Sequence, residues 1–301
     1  MVENTTPPSA VVVVSFGSSA LLEANLGPLE AAAGRPDVVV VDNFSGAAER
    51  ATITRLAAER GWELVAPERN LGFGDGVNLG AERAFARGAE VVCVLNPDAR
   101  LSADGFDRLV RAAHDAPRAL VAPRMVDGEG RVSFEGAEVR LHDGTTTRAD
   151  VTTARHPWLS GACLAFGREA WDLVGGFSSE YFLYWEDVDL SWRMREAGGE
   201  LRFLGDVTAV HDVGGTQNRS RWSTRSTTYV YFNCRNRLVF AAHHLEPRAG
   251  RTWLRRSPRY ARDVLLRGGS RLALLSPRAV WAAVSGTLSG AQVLVRGARH
   301  A

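Results

Sequence analysis

Four consecutive valines, Val11–Val14, set in the apolar run Ala10–Phe16, leave the start of this chain few ways to fold. A β-branched run with no polar alternation belongs in a strand buried on both faces, and such a strand needs helices above and below it. The pattern repeats. Ser18–Ala33 reads as a helix, Val38–Val41 as a second buried strand ending at Asp42-Asn43, and Ala47–Arg60 as a helix. Trp62–Ala66 is a third short strand, Asp75–Arg87 a helix, and Val91–Leu95 a fourth strand ending at Asn96-Pro97-Asp98. Ser102 is placed to cap a helix running to about His114, and Ala119–Ala122 is a fifth strand. This alternation predicts an α/β fold, a parallel sheet with helices on both faces. Ligands of such sheets bind beyond the carboxyl ends of the strands, where Asp42 and Asp98 stand.

After Pro123 the rhythm changes. Gly128–Arg140 reads as a hairpin, Trp158–Phe166 as a strand, and Arg168–Val174 as a short helix closed by Gly175-Gly176. A helix over about Val188–Glu196 and short strands at Leu201–Leu204 and Val207–Val210 follow, the last ending at His211-Asp212. From Thr224 onward the chain reads as mostly helical. Val280–Val295 is apolar but too short to span a bilayer, so it is expected as a packed or interfacial helix.

At 301 residues, 45% hydrophobic and 23% charged, the chain has the make-up of an ordinary globular protein with a sizeable core. Cys93, Cys163 and Cys234 are odd in number, far apart and without metal-ligand spacing, which argues against a disulfide framework or a structural zinc site and for a reducing cytosol. Residues 1–10 carry no basic region and no cleavage-like end, so no signal peptide is expected. Every basic group is an arginine, permanently charged and suited to bidentate phosphate contacts. From Pro247 to Ala301 eleven arginines stand against one acid, Asp263; that is +10 in a chain of net +2, so the remainder sums to −8. An acidic body with a basic tail suggests contact with an anionic surface or acceptor.

Chemistry is concentrated in Tyr181–Arg193, where Glu186, Asp187 and Asp189 fall within four positions beside Tyr181, Tyr184 and Trp185. Carboxylates beside bulky apolar groups are partly desolvated, which raises a pKa towards that of a usable base. Acids at a helix start are also favoured by the macrodipole alone. Asp98 suits a divalent ion on a nucleotide diphosphate, which needs only one or two protein carboxylates, but Asn-Pro-Asp is equally good turn chemistry. Asp42 reads as a nucleotide contact or as a turn residue. The glycines of Asn70–Gly80 fit close approach of backbone to a nucleotide, or tight packing of helix on sheet; their spacing is not a dinucleotide fingerprint. His211 reads as a metal ligand or as a structural histidine.

In this order the segments resemble family 2 inverting glycosyltransferases of the GT-A fold, particularly a bacterial rhamnosyltransferase-like branch. The resemblance is carried by Val11–Phe16, Val38–Ser45, Asn70–Gly80, Leu95–Asp98, Gly161–Ala170 with Gly175-Gly176-Phe177, Tyr181–Arg193, Ala209–His211, and Arg235-Asn236-Arg237 with His243-His244. It covers about residues 10–245. Ser15-Phe16-Gly17 stands where many members have Asn-Tyr-Asn, which leaves Phe16 for base stacking, and Phe177-Ser178-Ser179-Glu180 stands where Asp-Glu often follows the Phe.

The resemblance implies a mostly parallel central sheet in a catalytic domain at 10–245, made of a Rossmann-like nucleotide-sugar half at 10–124 and an acceptor half at 125–245. A disordered stretch at 1–9 precedes it and a basic helical extension at 246–301 follows. It implies donor contacts at Phe16, Asp42, Asn70, Gly72, Asn78, Asn96 and Asp98, and Mg2+ or Mn2+ held by Asp98 and His211. Asp187 becomes the general base with Glu186 assisting, and Tyr184, Trp185 and Trp158 meet the acceptor. The expected reaction is metal-dependent, inverting transfer of a sugar, such as the deoxyhexose rhamnose, from a dTDP- or UDP-linked donor to a hydroxyl acceptor. That acceptor is a glycan, a lipid-linked intermediate or a natural product; no nucleic acid is implied.

The protein is expected in the cytoplasm, soluble or loosely attached to the inner membrane face through its arginine-rich tail. A tail packed on the catalytic domain, or on the second subunit of a homodimer, fits the residues equally. A nucleotidyltransferase would want a basic, glycine-rich phosphate loop after the first strand, and Ser15–Ser19 has no basic residue. A catalytically inactive nucleotide-sugar binder is the third reading, and Asp98, Asp187 and His211 together argue against it without excluding it.

Overall fold

The structure, a computed structural model, describes residues 6–211, 226–267, 274 and 276–297. Residues 1–5 of the stretch expected to be disordered, and Asp212, lie outside the described residues. In chain order the elements are β1 Ser9–Ser15, α1 Ser19–Leu26, a 3-10 turn Gly27–Ala31, β2 Asp37–Asp42, α2 Ala47–Arg60, β3 Glu63–Val65, α3 Phe73–Ala86, β4 Val91–Leu95 and β5 Ala99–Leu101. Then come α4 Ala103–His114, β6 Ala119–Val126, β7 Val132–Phe134, β8 Ala137–Arg140, β9 Thr145–Arg148, β10 Pro157–Trp158, β11 Cys163–Gly167, α5 Arg168–Val174, α6 Glu186–Glu196 and β12 Glu200–His211. The rest is helical: α7 Thr227–His244, α8 Pro247–Arg255, α9 Ser257–Leu266 and α10 Pro277–Gly297. The chain divides into two compact units, one of residues 1–138, 148–179 and 190–218, the other of 139–147, 180–189 and 219–301.

The first unit is built on a sheet in the order β3-β2-β1-β4-β11-β6-β12-β5, with β7 attached to β6. β3, β2, β1 and β4 are parallel, and the valine-rich β2, β1 and β4 are the buried strands among them. Val11 and Val13 face one apolar layer with Leu22, Leu26, Phe106 and Leu109, while Val12 and Val14 face another with Val77, Ala81, Phe85 and Phe166. β11 enters antiparallel between β4 and β6, and β12 then runs parallel to β6. The carboxyl ends of β1, β2, β4, β6 and β12 therefore share one edge.

Several local expectations change. The helix expected over 18–33 ends at Leu26, because Pro28 has no N–H for a helix interior, and a 3-10 turn completes it. The hairpin expected over 128–140 is formed by β6 and β7, which turn at Asp127–Gly130; Gly136 (φ 105°) then breaks the chain before β8. The strand expected over 158–166 is two strands, β10 pairing with β8 and β11 in the main sheet. The two short strands expected at 201–204 and 207–210 are one, β12, with a register shift between Leu204 and Thr208. Ser102 does cap α4, accepting from the Gly105 amide at 3.1 Å.

The second unit is organised by α7. Arg237 on α7 is fully buried and donates to the carbonyls of Asp143, Gly144 and Trp253 and to Ser257 Oγ, with its guanidinium over the rings of Trp253 and Tyr260. Burial lowers its pKa to about 10, still charged at neutral pH. α10 packs along α7 through Gly286 and Gly290, where an added Cβ would lie 2.3 Å from Tyr231 O and 2.4 Å from Arg235 O. The C-terminal extension is thus helical and packed within its own unit. No helix among the described residues is long and apolar enough to cross a membrane.

In α3 a Cβ on Gly80 would lie 2.3 Å from Val12 Cγ1 and 3.0 Å from Val41 Cγ2. The gain in helix propensity from Gly80→Ala, about 1 kcal/mol, should be outweighed by overpacking of roughly 1–3 kcal/mol. The variant is expected to unfold at lower urea than the parent; an equal or higher midpoint would contradict this packing.

Candidate active site

The shared edge of the main sheet collects the first group of side chains. At the end of β4 the chain turns through residues 96–99, closed by the Ala99 amide on Asn96 O at 2.9 Å. Asn25 holds the turn from α1, donating to Pro97 O at 2.6 Å, and the Asn96 amide is tied to Ala162 O. β5 then pairs antiparallel with β12, with Ala99 opposite His211. That register sets His211 Nε2 3.1 Å from Asp98 Oδ1 and 3.5 Å from the Asn96 side-chain amide. Asp98 and His211, separated by 113 positions, thus converge in a part-buried pair. The Asp98 side chain is directed at His211 and makes no capping hydrogen bond among the described residues.

Asp42 ends β2 with no exposure. Its Oδ2 accepts from Arg50 Nε at 2.5 Å, while Oδ1 has no hydrogen-bond partner among the described residues. Arg50 also donates to the carbonyls of Asp42 and Pro67, so it holds the strand end rigid. Phe16 after β1 is 55% exposed and Phe44 after β2 is 37% exposed, beneath the Arg50 guanidinium at 4.7 Å. These two aromatic rings stay exposed while the aromatic rings of the core layers, Phe85, Phe106 and Phe166, are buried.

The glycine-rich loop resolves into packing and clasps. Gly76 and Gly80 let α3 lie on Val14 and Val12. Gly72 (φ 89°) is held by Asn70 and Asn43: Asn70 Oδ1 accepts from its amide, and Asn43 donates to its carbonyl at 2.7 Å while accepting from Leu71 N at 2.9 Å. The Asn78 carboxamide is committed to Phe177, donating to its carbonyl and accepting from its amide, both at 2.8 Å. Trp158 lies on Phe134 at 5.1 Å, with its Nε1 buried and unpartnered.

The acidic motif opens α6, in the second unit. Tyr184 and Trp185 immediately before it adopt left-handed conformations, φ 67° and 75°, which cost non-glycine residues about 1–3 kcal/mol each and persist only when the surroundings impose them. Asn236 on α7 imposes them. It is fully buried and donates both amide hydrogens, to Leu183 O at 2.9 Å and Tyr184 O at 2.8 Å, while accepting from Arg235 at 2.6 Å. Trp185 packs into Phe240 and Trp253 and is buried, whereas Tyr184 stands edge-on to Tyr229 and is half-buried. The sharp turn gathers three carboxyls in the first turn of α6, where the helix dipole favours them. Glu186 is buried with Oε2 unpartnered; burial first, then the charges of Asp187 and Asp189, push its carboxyl well above the usual carboxylate range. Asp187 is half-buried, its Oδ1 accepting from the Val188 amide. Asp189 is buried against His244 Nε2 at 2.7 Å. Desolvation, expected of the motif as a whole, falls hardest on Glu186.

The structure therefore unites Asp98, His211 and Asn96, and separately Glu186 and Asp187. It commits Asn78 and Trp185 to packing and hydrogen bonds inside their own units. Asn43, Phe44, Asn236 and His244 carry more of the site's architecture than sequence reasoning assigned them. One signal was available: Asn236, Phe240 and His244 recur every four residues and so share one face of α7.

The mixed α/β fold, a central sheet flanked by helices with a helical C-terminal extension, is that of the GT-A glycosyltransferases. The chain belongs to glycosyltransferase like family 2, whose model matches residues 7–241, and it is a glycosyltransferase. It is 28% identical over 260 residues, 73% of this chain and 82% of the other, to N-acetylglucosaminyl-diphospho-decaprenol L-rhamnosyltransferase of Mycobacterium tuberculosis. It is 22% identical to a dTDP-rhamnosyl transferase of Shigella flexneri, over 59% of this chain and 60% of that one. Among solved structures, GalNAc-T7 with UDP, GalNAc and Mn2+ superposes with a TM-score of 0.59 at 16% identity, over 80% of this chain and about half (51%) of that chain. A mannosyltransferase from Pyrobaculum calidifontis with GDP-Man and Mn2+ gives 0.54 at 18% identity, over 98% and 87%. At these identities the structures establish the fold.

A carboxyl with a raised folded-state pKa contributes stability that is present below its unfolded pKa and is lost as pH rises towards the folded value. Glu186→Gln should therefore unfold at a higher denaturant concentration than the parent at pH 8, with the difference shrinking as pH falls towards about 4.3. A pH-independent difference would mean that folding does not raise the Glu186 pKa.

Proposed function

We propose that the protein transfers a sugar, by single displacement with inversion, from a dTDP- or UDP-linked donor to an acceptor hydroxyl. The observation that carries this reading is the convergence of Asp98 and His211 at 3.1 Å beyond the carboxyl end of a parallel sheet. Rhamnose is the favoured sugar, because two relatives are named for rhamnosyl transfer. The acceptor is a glycan or lipid-linked intermediate, as the name of the mycobacterial relative suggests.

Among the described residues no group of three or more His, Cys, Asp or Glu forms a metal cage. Two residues suffice where phosphate oxygens and water complete the shell. Adjacent ligands of an octahedral ion at about 2.1 Å lie roughly 3 Å apart, which matches the Asp98–His211 separation, so this pair fits Mg2+ or Mn2+. When bound, such an ion neutralises charge that develops on the leaving diphosphate.

The remaining steps fall to the chain itself. Phe16 and Phe44 offer the nucleotide base exposed aromatic faces, and Asp42, fully buried on Arg50, holds the strand end between them in place. Asp187 takes the proton from the acceptor hydroxyl as its oxygen attacks the anomeric carbon. The bond to the diphosphate breaks through an oxocarbenium-like transition state. Burial pushes the Glu186 carboxyl well above the usual carboxylate range, which leaves Asp187 as the more acidic partner, ionised first and placed to act as the base, with Glu186 beside it to orient the acceptor.

Asp187→Asn is expected to lower transfer about a thousandfold, read as nucleotide released from the donor in the presence of acceptor, with nucleotide affinity retained. Comparable turnover in the variant would remove Asp187 as the base. Asp98→Ala and His211→Ala should each weaken nucleotide binding in Mn2+ about as much as withdrawing Mn2+ from the parent does; unchanged affinity would remove the pair from the metal.

A further inference from the structure

Among the described residues, six of the eight large hydrophobic side chains that remain exposed lie between Leu274 and Val295. α10 packs on α7 through Gly286 and Gly290 and lays Leu294 against Gly250 of α8, with Ala279, Ala282 and Ala283 buried. A second stripe is left uncovered by the described residues: Trp281 is 66% exposed and Leu288 58%, with Val284 and Val295 between and beyond them. The spacing 281, 284, 288, 295 keeps these residues on one line along the helix. Beside the stripe runs an apolar groove of about 490 Å³ between α10 and α9, lined by Leu254, Pro258, Leu265, Val280, Val284 and Leu288.

The rim of this surface is cationic. Arg262 lines the groove, Arg255 and Arg259 are exposed on the turns of α8 and α9 before it, and Arg278 stands one turn ahead of Trp281 at the start of α10. None of the four has an ion-pair partner among the described residues. A second copy of the chain would bring a like-charged rim, since residues 247–301 carry +10. An anionic bilayer meets both features, taking Trp and Leu at the boundary of its acyl region and arginine at its headgroups.

We infer that α10 and the groove beside it form a docking surface for an anionic lipid bilayer, with the Trp281–Leu288 stripe inserted and Arg255, Arg259, Arg262 and Arg278 on the headgroups. This lies wholly within the second unit and does not depend on the sugar-transfer reading.

The test is co-sedimentation of the full chain with vesicles of equal parts phosphatidylglycerol and phosphatidylcholine, against pure phosphatidylcholine. Binding is expected to the mixed vesicles only and to fall with added salt. Arg255→Gln/Arg259→Gln/Arg262→Gln should reduce partitioning about a hundredfold. Trp281→Ser/Leu288→Ser should abolish the salt-resistant part, and both variants should keep the parent's unfolding midpoint because these side chains are exposed. The inference is overturned if the parent does not bind, or if binding ignores both sets of substitutions. It is equally overturned if sedimentation equilibrium shows a dimer that Leu288→Ser dissociates.

Discussion

Strand β12 runs parallel to β6 on one side and antiparallel to the short β5 on the other, and this double pairing fixes His211 opposite Ala99. Because side chains alternate along a strand, slipping the pair by one residue would turn His211 to the other face of the sheet and part it from Asp98. The register shift between Leu204 and Thr208 lets one strand satisfy both neighbours. β11, inserted antiparallel between β4 and β6, sets the spacing of the whole edge. The meeting of Asp98 and His211 thus rests on backbone pairing more than on any single side chain.

The second unit solves a different problem with α7. Asn236 holds two left-handed residues in place, Arg237 ties the turn at 140–145 to α8 and α9, and His244 meets Asp189. These polar side chains stand beside an apolar line of Val230, Cys234, Leu238 and Ala241 on the same helix. Asn236 and Arg237 are buried and hydrogen-bonded and His244 is part-buried on Asp189, so the desolvation cost of a polar interior is offset where the strained acidic turn needs rigid support. The protein spends this polar core on orientation of Glu186 and Asp187.

Much of the first unit was legible in the sequence. Unbroken valine runs gave the parallel strands, Ser102 gave its cap, and Asp42 and Asp98 at strand ends gave the edge. The antiparallel insertion of β11 was not legible, because Cys163–Gly167 is as apolar as its parallel neighbours and burial pattern carries no direction. The 3-10 ending of α1 was available in Gly27-Pro28 and was overridden by the apolar periodicity around it. In Asn70–Gly80 composition left nucleotide contact and packing open; for Gly76 and Gly80 the distances to Val14 and Val12 show packing. The left-handed Tyr184-Trp185 pair was invisible, since aromatic residues are poor candidates for that region and the Asn236 side chain that holds the Tyr184 carbonyl lies 52 positions away.

The central claim is that the carboxyl edge of the sheet binds a nucleotide diphosphate together with a divalent ion at Asp98 and His211. The most direct measurement is thermal unfolding with dTDP, UDP and GDP in turn, each with and without Mn2+, on the parent and on Asp98→Ala. A ligand that binds only the folded chain raises the midpoint with the logarithm of its saturation. The account predicts a rise with dTDP or UDP that requires Mn2+ and is lost in Asp98→Ala. No rise with any nucleotide at millimolar concentration, or a rise indifferent to both metal and Asp98, would contradict it.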